Sequence, residues 1–220
     1  SVLITRRGSA RVFPHHSVAS TDKLRILICL LYYHPHRTEL TIHVQHIAEA
    51  LARRGHQVTI LSARYRDDLA PESVQAGVRV VRLWAPIRMS RGYVMPTYPL
   101  AALRLMREHD VVSIHTPMLE TALLALIAKL ARRNIVITHH GDLVLPRGSM
   151  VNMFIQWTMF QMYRLAAHWS PRLIAYSQDY AEHSYYLRPY LDKTSVNYPP
   201  VWMPPPGAER VASLRAAWSH

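Results

Sequence analysis

Apolar residues fall into two rhythms along this chain. Leu24–Leu31 (LRILICLL) is a short, nearly unbroken apolar run bounded by charge and by a Pro/His-rich loop, the pattern of a strand covered on both faces. Val44, Ile47, Ala48 and Leu51 then recur at helical spacing, with Gln45, Glu49, Arg53 and Arg54 on the other side. Gly55 follows the last basic turn, where a left-handed C-cap belongs, and Gln57–Leu61 begins another strand at once. Strand, helix and strand in that order make a βαβ unit. It predicts a parallel sheet with a ligand crevice at the carboxyl end of the first strand, beside the loop Tyr32–Leu40.

The alternation continues. Ser62–Ala76 reads as a loop, Val78–Trp84 as a strand, Pro86–Tyr98 as a loop and Leu100–Arg107 as a helix. Asp110–His115 (DVVSIH) is a buried strand, and Met118–Arg133 a helix whose Leu119, Ala122, Leu123, Leu126, Ile127 and Leu130 share a face. Asn134–Thr138 (NIVIT) is a strand that runs straight into His139, His140, Gly141 and Asp142. Val151–Ala167 is a helix with a stripe of Met153, Trp157, Phe160, Met162 and Tyr163, continued by Trp169. That stripe is expected to pack in the core or against another domain, and a membrane-facing surface is the other reading. Arg172–Tyr176 is a strand, Ser177 caps a helix Gln178–Leu187, and Lys193–Asn197 is a last short strand. The fold class is therefore α/β, a Rossmann-like parallel sheet with helices on both faces.

Residues 1–22 carry Arg6, Arg7, Arg11, His15 and His16 and no apolar core of signal-peptide length, so they read as a disordered leader before a domain over 23–197. Residues 198–207 (YPPVWMPPPG) hold five prolines, which predicts a stiff linker. Residues 208–220 begin helix-like with nothing to pack on, so they are expected to open a further domain, truncated here.

Charge and special residues narrow the chemistry. There are 26 Lys+Arg against 14 Asp+Glu, a formal charge of +12, scattered without a dense run. This is a solvated basic surface or one attracted to anionic phospholipid heads and phosphorylated substrates. No nucleic-acid recognition motif accompanies it. Cys29 is the sole cysteine, so no intramolecular disulfide forms, and a reducing, cytoplasmic compartment is expected. No apolar run reaches the ~18 residues a membrane span needs. Tyr32–Leu40 contains no glycine, whereas a dinucleotide site there needs GxGxxG, so no nicotinamide or flavin cofactor is expected. Fourteen histidines raise zinc, with His34/His36 and His139/His140 as pairs. Adjacent histidines on a strand face opposite ways, however, and no HExxH or cysteine set is present, so no metal is expected.

Five segments in order resemble the N-terminal half of a GT-B-fold retaining glycosyltransferase (glycosyltransferase family 4, group 1): RRGHQVTIL (Arg53–Leu61), DVVSIHTP (Asp110–Pro117), IVITHHGD (Ile135–Asp142), IAYSQDYAEHSYYL (Ile174–Leu187) and KTSVNYPPV (Lys193–Val201). The resemblance covers about Leu24 to Trp218. It implies a hexosyltransferase that moves a sugar from a nucleotide-sugar donor to a lipid or glycan acceptor of the cell envelope, with retention. This chain would supply the acceptor-binding half, share the donor with a missing C-terminal domain, and be inactive alone. The basic charge and the Met/aromatic helix add an expectation of peripheral placement on the inner face of an anionic membrane. His140 would be the histidine beside the reacting carbon, with Gly141 and Asp142 shaping its loop and His115 facing the acceptor. Arg37, Thr38 and Glu39 would lie by the donor phosphates. Glu39 departs from the glycines usual there, since a carboxylate repels a diphosphate; it points away, binds an acceptor hydroxyl or marks altered donor use, and Arg37 offsets it. The alternative function is a non-enzymatic module that binds a phosphorylated lipid or sugar and needs a separate donor-domain partner.

Overall fold

The computed structural model describes residues 23–89, 92–142, 144–146 and 148–198. The leader expected over 1–22 and, Tyr198 apart, the linker and further domain expected over 198–220 lie outside the described residues.

The elements run β1 (Arg25–Cys29), α1 (Glu39–Arg53), β2 (Gln57–Arg64), β3 (Glu72–Gln75), β4 (Val78–Trp84), β5 (Ile87–Met89), β6 (Gly92–Val94), α2 (Tyr98–Glu108), β7 (Val111–Thr116), α3 (Thr121–Leu130), β8 (Asn134–His139), α4 (Met150–Trp169), β9 (Arg172–Ala175), α5 (Gln178–His183) and β10 (Thr194–Val196). The main sheet has the order β10-β9-β8-β7-β1-β2-β4-β3, and β3 on its edge is the antiparallel strand. Leaving β3 aside, the chain winds outward from β1 to β4, returns to β7 beside β1, and winds outward again to β10. The order reverses between β1 and β7, and a doubly wound sheet opens its ligand crevice at that point, past the carboxyl ends of the strands.

Both faces are covered, as the unbroken apolar strands require. Ile26, Ile28 and Leu30 pack with Val58, Ile60, Val78 and Val80 under Val44 and Ala48 of α1. Leu27 and Cys29 turn to the other face, where α2, α3 and α4 close a larger core with Val112, Ile114, Ile135, Ile137 and Leu173. The helix α1 ends as its sequence requires, with Gly55 at φ +89 after the cap residue Arg54.

Several expectations need correction. The stretch read as a loop over Ser62–Ala76 carries the end of β2 and all of β3, because Val78–Trp84 had an open edge for another strand to pair with. The supposed loop Pro86–Tyr98 contains the small β5–β6 ribbon. In α3 the buried residues are Thr121, Ala122, Leu124, Ala125 and Ala128, while Leu123 and Leu130 are 38% and 73% exposed. That helix is apolar nearly all round, so periodicity could not choose its face; the alanines face inward because they allow α4 to approach closely. The helix expected to reach Leu187 stops at His183. There Ser184 Oγ accepts from the Tyr186 and Leu187 amides and turns the chain.

Candidate functional site

Strand alternation builds the site. On β7, β8 and β9 the residues facing α2–α4 are apolar up to the final Thr116 and His139, and the opposite set is polar near the carboxyl ends: Ser113 and His115, then Thr138 and His140, then Tyr176. The parallel register aligns them, pairing His115 with Thr138 and Thr138 with Ile174, so His140 and Tyr176 emerge side by side. His115 Nδ1 and His140 Nε2 are 2.8 Å apart, and Ser113 Oγ lies 3.1 Å from His115 Nε2. The Tyr176 hydroxyl contacts His140 Nδ1. His43 closes the cluster from α1, edge-on to Tyr176 at 4.9 Å and to His140 at 5.8 Å between ring centroids. It is only 6% exposed, and its Nδ1 has no hydrogen-bond partner among the described residues.

Burial decides the charge here. Desolvation, with the neighbouring His43, holds His115 down to about 3, and desolvation, with His115, His43 and His139, holds His140 down to about 2. Both imidazoles are neutral at physiological pH. Desolvation also raises the Tyr176 phenol, which stays protonated. The centre is therefore an uncharged set of hydrogen-bonding groups, suited to hydroxyls and ill suited to a diphosphate.

His139 faces the other way, as adjacent strand residues must. It is fully buried against Tyr163, Tyr180 and Tyr186. Its Nδ1 lies 2.7 Å from Thr116 Oγ1, and its Nε2 lies 2.9 Å from Asp142 Oδ1. Asp142 also accepts from Ser184 Oγ at 2.8 Å and from the Tyr185 amide at 3.0 Å. Burial works against ionisation of Asp142, but hydrogen bonds from His139, Ser184 and Tyr185 outweigh it and leave the carboxyl below its ordinary range. Asp142 thus moors the loop that carries His140. Gly141 has open space where a Cβ would stand and no left-handed φ, so the backbone there does not require glycine.

The other expected residues sit at the start of α1. Thr38 is the N-cap: its hydroxyl accepts from the Thr41 amide and its own amide donates to Thr41 Oγ1 at 2.8 Å. Glu39 is the first helical residue, where the helix dipole favours a carboxylate, and its charge is felt by His43 and Tyr176. Arg37 is exposed in the loop before it. Ser113, His43 and Tyr176 were not singled out in the sequence. For Ser113 and Tyr176 the signal was the period-two recurrence of polar residues, SxH and TxH, on neighbouring strand ends, with a tyrosine just past β9; His43 on α1 carried none.

Residues 39–189 match the sequence family described as Glycosyl transferase 4-like domain. The chain belongs to that family. This glycosyl transferase 4-like domain is also similar in structure to a sucrose-phosphate synthase from Thermosynechococcus elongatus, at 12% identity and TM-score 0.48, over 88% of this chain and 95% of that one. A calicheamicin glycosyltransferase is similar at 13% identity and TM-score 0.40, over 84% of this chain and 56% of that one. No curated protein matches the domain.

On the far side of the Asp142 loop the domain has a groove of about 600 Å³ lined by Val144, Leu145, Pro146, Met153, Trp157 and Phe160 among others. Of its polar groups, Gln156 Oε1 accepts from the Leu145 amide and Asn152 Nδ2 donates to the Pro146 carbonyl, while the buried Tyr186 hydroxyl has no hydrogen-bond partner among the described residues. Among the described residues no helix is long and apolar enough to cross a membrane, and no group of three or more potential ligands is placed to hold a metal.

Proposed function

We propose that this domain is the acceptor-binding half of a retaining glycosyltransferase that takes a sugar from a nucleotide-sugar donor, most of the donor being held by a second domain. The observation that carries this reading is the neutral His115–His140 pair at the carboxyl ends of β7 and β8, in a domain of the glycosyl transferase 4-like family. Retaining transfer requires an acceptor hydroxyl held close to the reacting carbon, and positioning of that kind accounts for much of an enzyme's rate. His140 touches the reacting sugar, His115 supports it, and the open space beside Gly141 admits the ring. Glu39 accepts a hydrogen bond from an acceptor hydroxyl, and Arg37 offsets its charge toward the leaving diphosphate. Asp142 holds the loop, and Thr38 serves the helix start.

The acceptor proposed is an amphiphile. A groove lined mainly by apolar side chains suits a hydrocarbon tail, and its volume lies within the ~300–1,000 Å³ usual for ligand pockets. Exposed Met150, Val151 and Phe154 nearby would rest on a lipid surface, which supports a peripheral enzyme, proposed for the inner face of an anionic membrane.

His140→Ala in the complete enzyme tests the reading. With donor and acceptor panels supplied, kcat is expected to fall by roughly 10²-fold or more, the scale of a misplaced substrate, while the chain still folds. His139→Ala should instead lower stability, because it opens the buried ring cluster. Unchanged turnover in His140→Ala would overturn the assignment.

A further inference from the structure

Tyr176 stands one residue past β9, and among the described residues its hydroxyl meets only the imidazole of His140. From there hydrogen bonds continue through His140 Nε2 to His115 Nδ1 at 2.8 Å, and through His115 Nε2 to Ser113 Oγ at 3.1 Å. Burial keeps both imidazoles neutral, so each has one N–H and one bare nitrogen. Such a row can run in only two directions. In the first, Tyr176 O–H donates to His140 Nδ1, His140 Nε2–H donates to His115 Nδ1, and His115 Nε2–H donates to Ser113 Oγ. In the second every bond is reversed. The phenol must then accept, and its own proton finds no acceptor among the described residues. A phenol is a stronger donor and a weaker acceptor than a serine alcohol, which again favours the first direction. The His43 ring, edge-on to Tyr176 at 4.9 Å, limits where the phenol can swing.

We propose that Tyr176 is the positioning residue of this site: by donating to Nδ1 it fixes the single N–H of His140 on Nε2, the hydrogen that a sugar oxygen takes over from His115 on binding. The position of the proton follows from this chain's own hydrogen bonds, whereas its use by a sugar rests on the transferase reading above. Serine at the far end is a passive acceptor. The two ends of the row therefore differ in consequence, although each contributes a single hydroxyl.

Imidazole ¹⁵N–¹H multiple-bond correlation on the ¹⁵N-labelled chain at neutral pH reads the tautomer directly. In the unmodified chain His140 is expected to show a protonated Nε2 and a bare Nδ1. Tyr176→Phe should release that preference, bringing the two nitrogen shifts toward each other, with the amide spectrum of the fold preserved. Ser113→Ala should leave the His140 tautomer as it was. A protonated Nδ1 in the unmodified chain overturns the proposal, and that spectrum decides the matter even if Tyr176→Phe does not fold. A preference that survives Tyr176→Phe, or is lost in Ser113→Ala, overturns it equally. If the tautomers behave as expected while His140→Ala keeps full turnover in the complete enzyme, the transferase role of His140 falls and the positioning by Tyr176 stands.

Discussion

Histidines of one sequence divide here by what their two nitrogens meet. His109 is a structural one: Nδ1 lies 2.6 Å from the Leu105 carbonyl and Nε2 2.9 Å from Thr59 Oγ1, both inside the core. His139 is structural too, held by Thr116 and Asp142, whereas His115 and His140 meet each other at the open end of the sheet. The sequence could separate His139 from His140, since strand neighbours face opposite ways, but it could not tell His109 from His115. Burial of the site histidines has a measurable consequence. A histidine whose folded pKa lies below its unfolded value of about 6.5 takes up protons first in the unfolded chain, so its contribution is complete above that pH and declines as pH falls. For His115, held down to about 3, stability should drop by about 2 kcal/mol between pH 6.5 and pH 5. His140, His43 and His109 are lowered as well and act in the same direction. Burial raises Glu120, whose protonation acts in the opposite direction, so the histidine share is read by comparison with a variant. Urea unfolding at both pH values measures the drop, and His115→Gln should lose its share. Equal stability at pH 6.5 and pH 5 would contradict the burial of these rings.

The start of α1 shows how an element can claim residues that look like ligands. Thr38 and Glu39 occupy the place where phosphate contacts were expected. Thr38 closes a reciprocal cap with Thr41, and Glu39 sits in the favourable field of the first turn. Thr38→Ala should therefore cost about 1 kcal/mol, the usual value of an N-cap, seen as a lower melting temperature with donor affinity unchanged. A fall in donor affinity at unchanged stability would put the Thr38 hydroxyl on the donor phosphates instead. Elements whose period is distinct were readable in advance: β1, α1, β2, β7 and β8 fall within a few residues of their expected bounds. Those that rest on tertiary context were not. The strand β3 exists because β4 offered it an edge, and the buried face of α3 was chosen by the fit of its alanines against α4. Tyr176 belongs with these, since only the register of β8 and β9 brings it to His140.

Across the molecule, winding order and surface point to the same end of the sheet. The strand order reverses between β1 and β7, the polar cluster lies just past it, and the apolar groove begins on the other side of the Asp142 loop. The class of fold followed from alternating periods, but the groove did not, because one Met/aromatic stripe serves both core and surface. Tyr163 is buried while Met153 is 60% and Trp157 59% exposed. With a formal charge of +12, the chain should bind vesicles containing anionic lipid and be released by salt, whose screening length shortens from about 10 Å at 0.1 M to about 3 Å at 1 M. Phe154→Glu should weaken that binding. Equal co-sedimentation with neutral and anionic vesicles would contradict it. The account turns most on the crevice as a sugar site, and titrating the ¹⁵N-labelled chain with nucleotide sugars and an alkyl glycoside tests it directly. Saturable amide shifts are expected at His43, Thr116, His140, Gly141 and Tyr176, with none at the opposite end of the sheet, where Arg25, His56, Arg79 and His109 line another pocket. Saturable shifts at that opposite pocket with an unchanged crevice would contradict it.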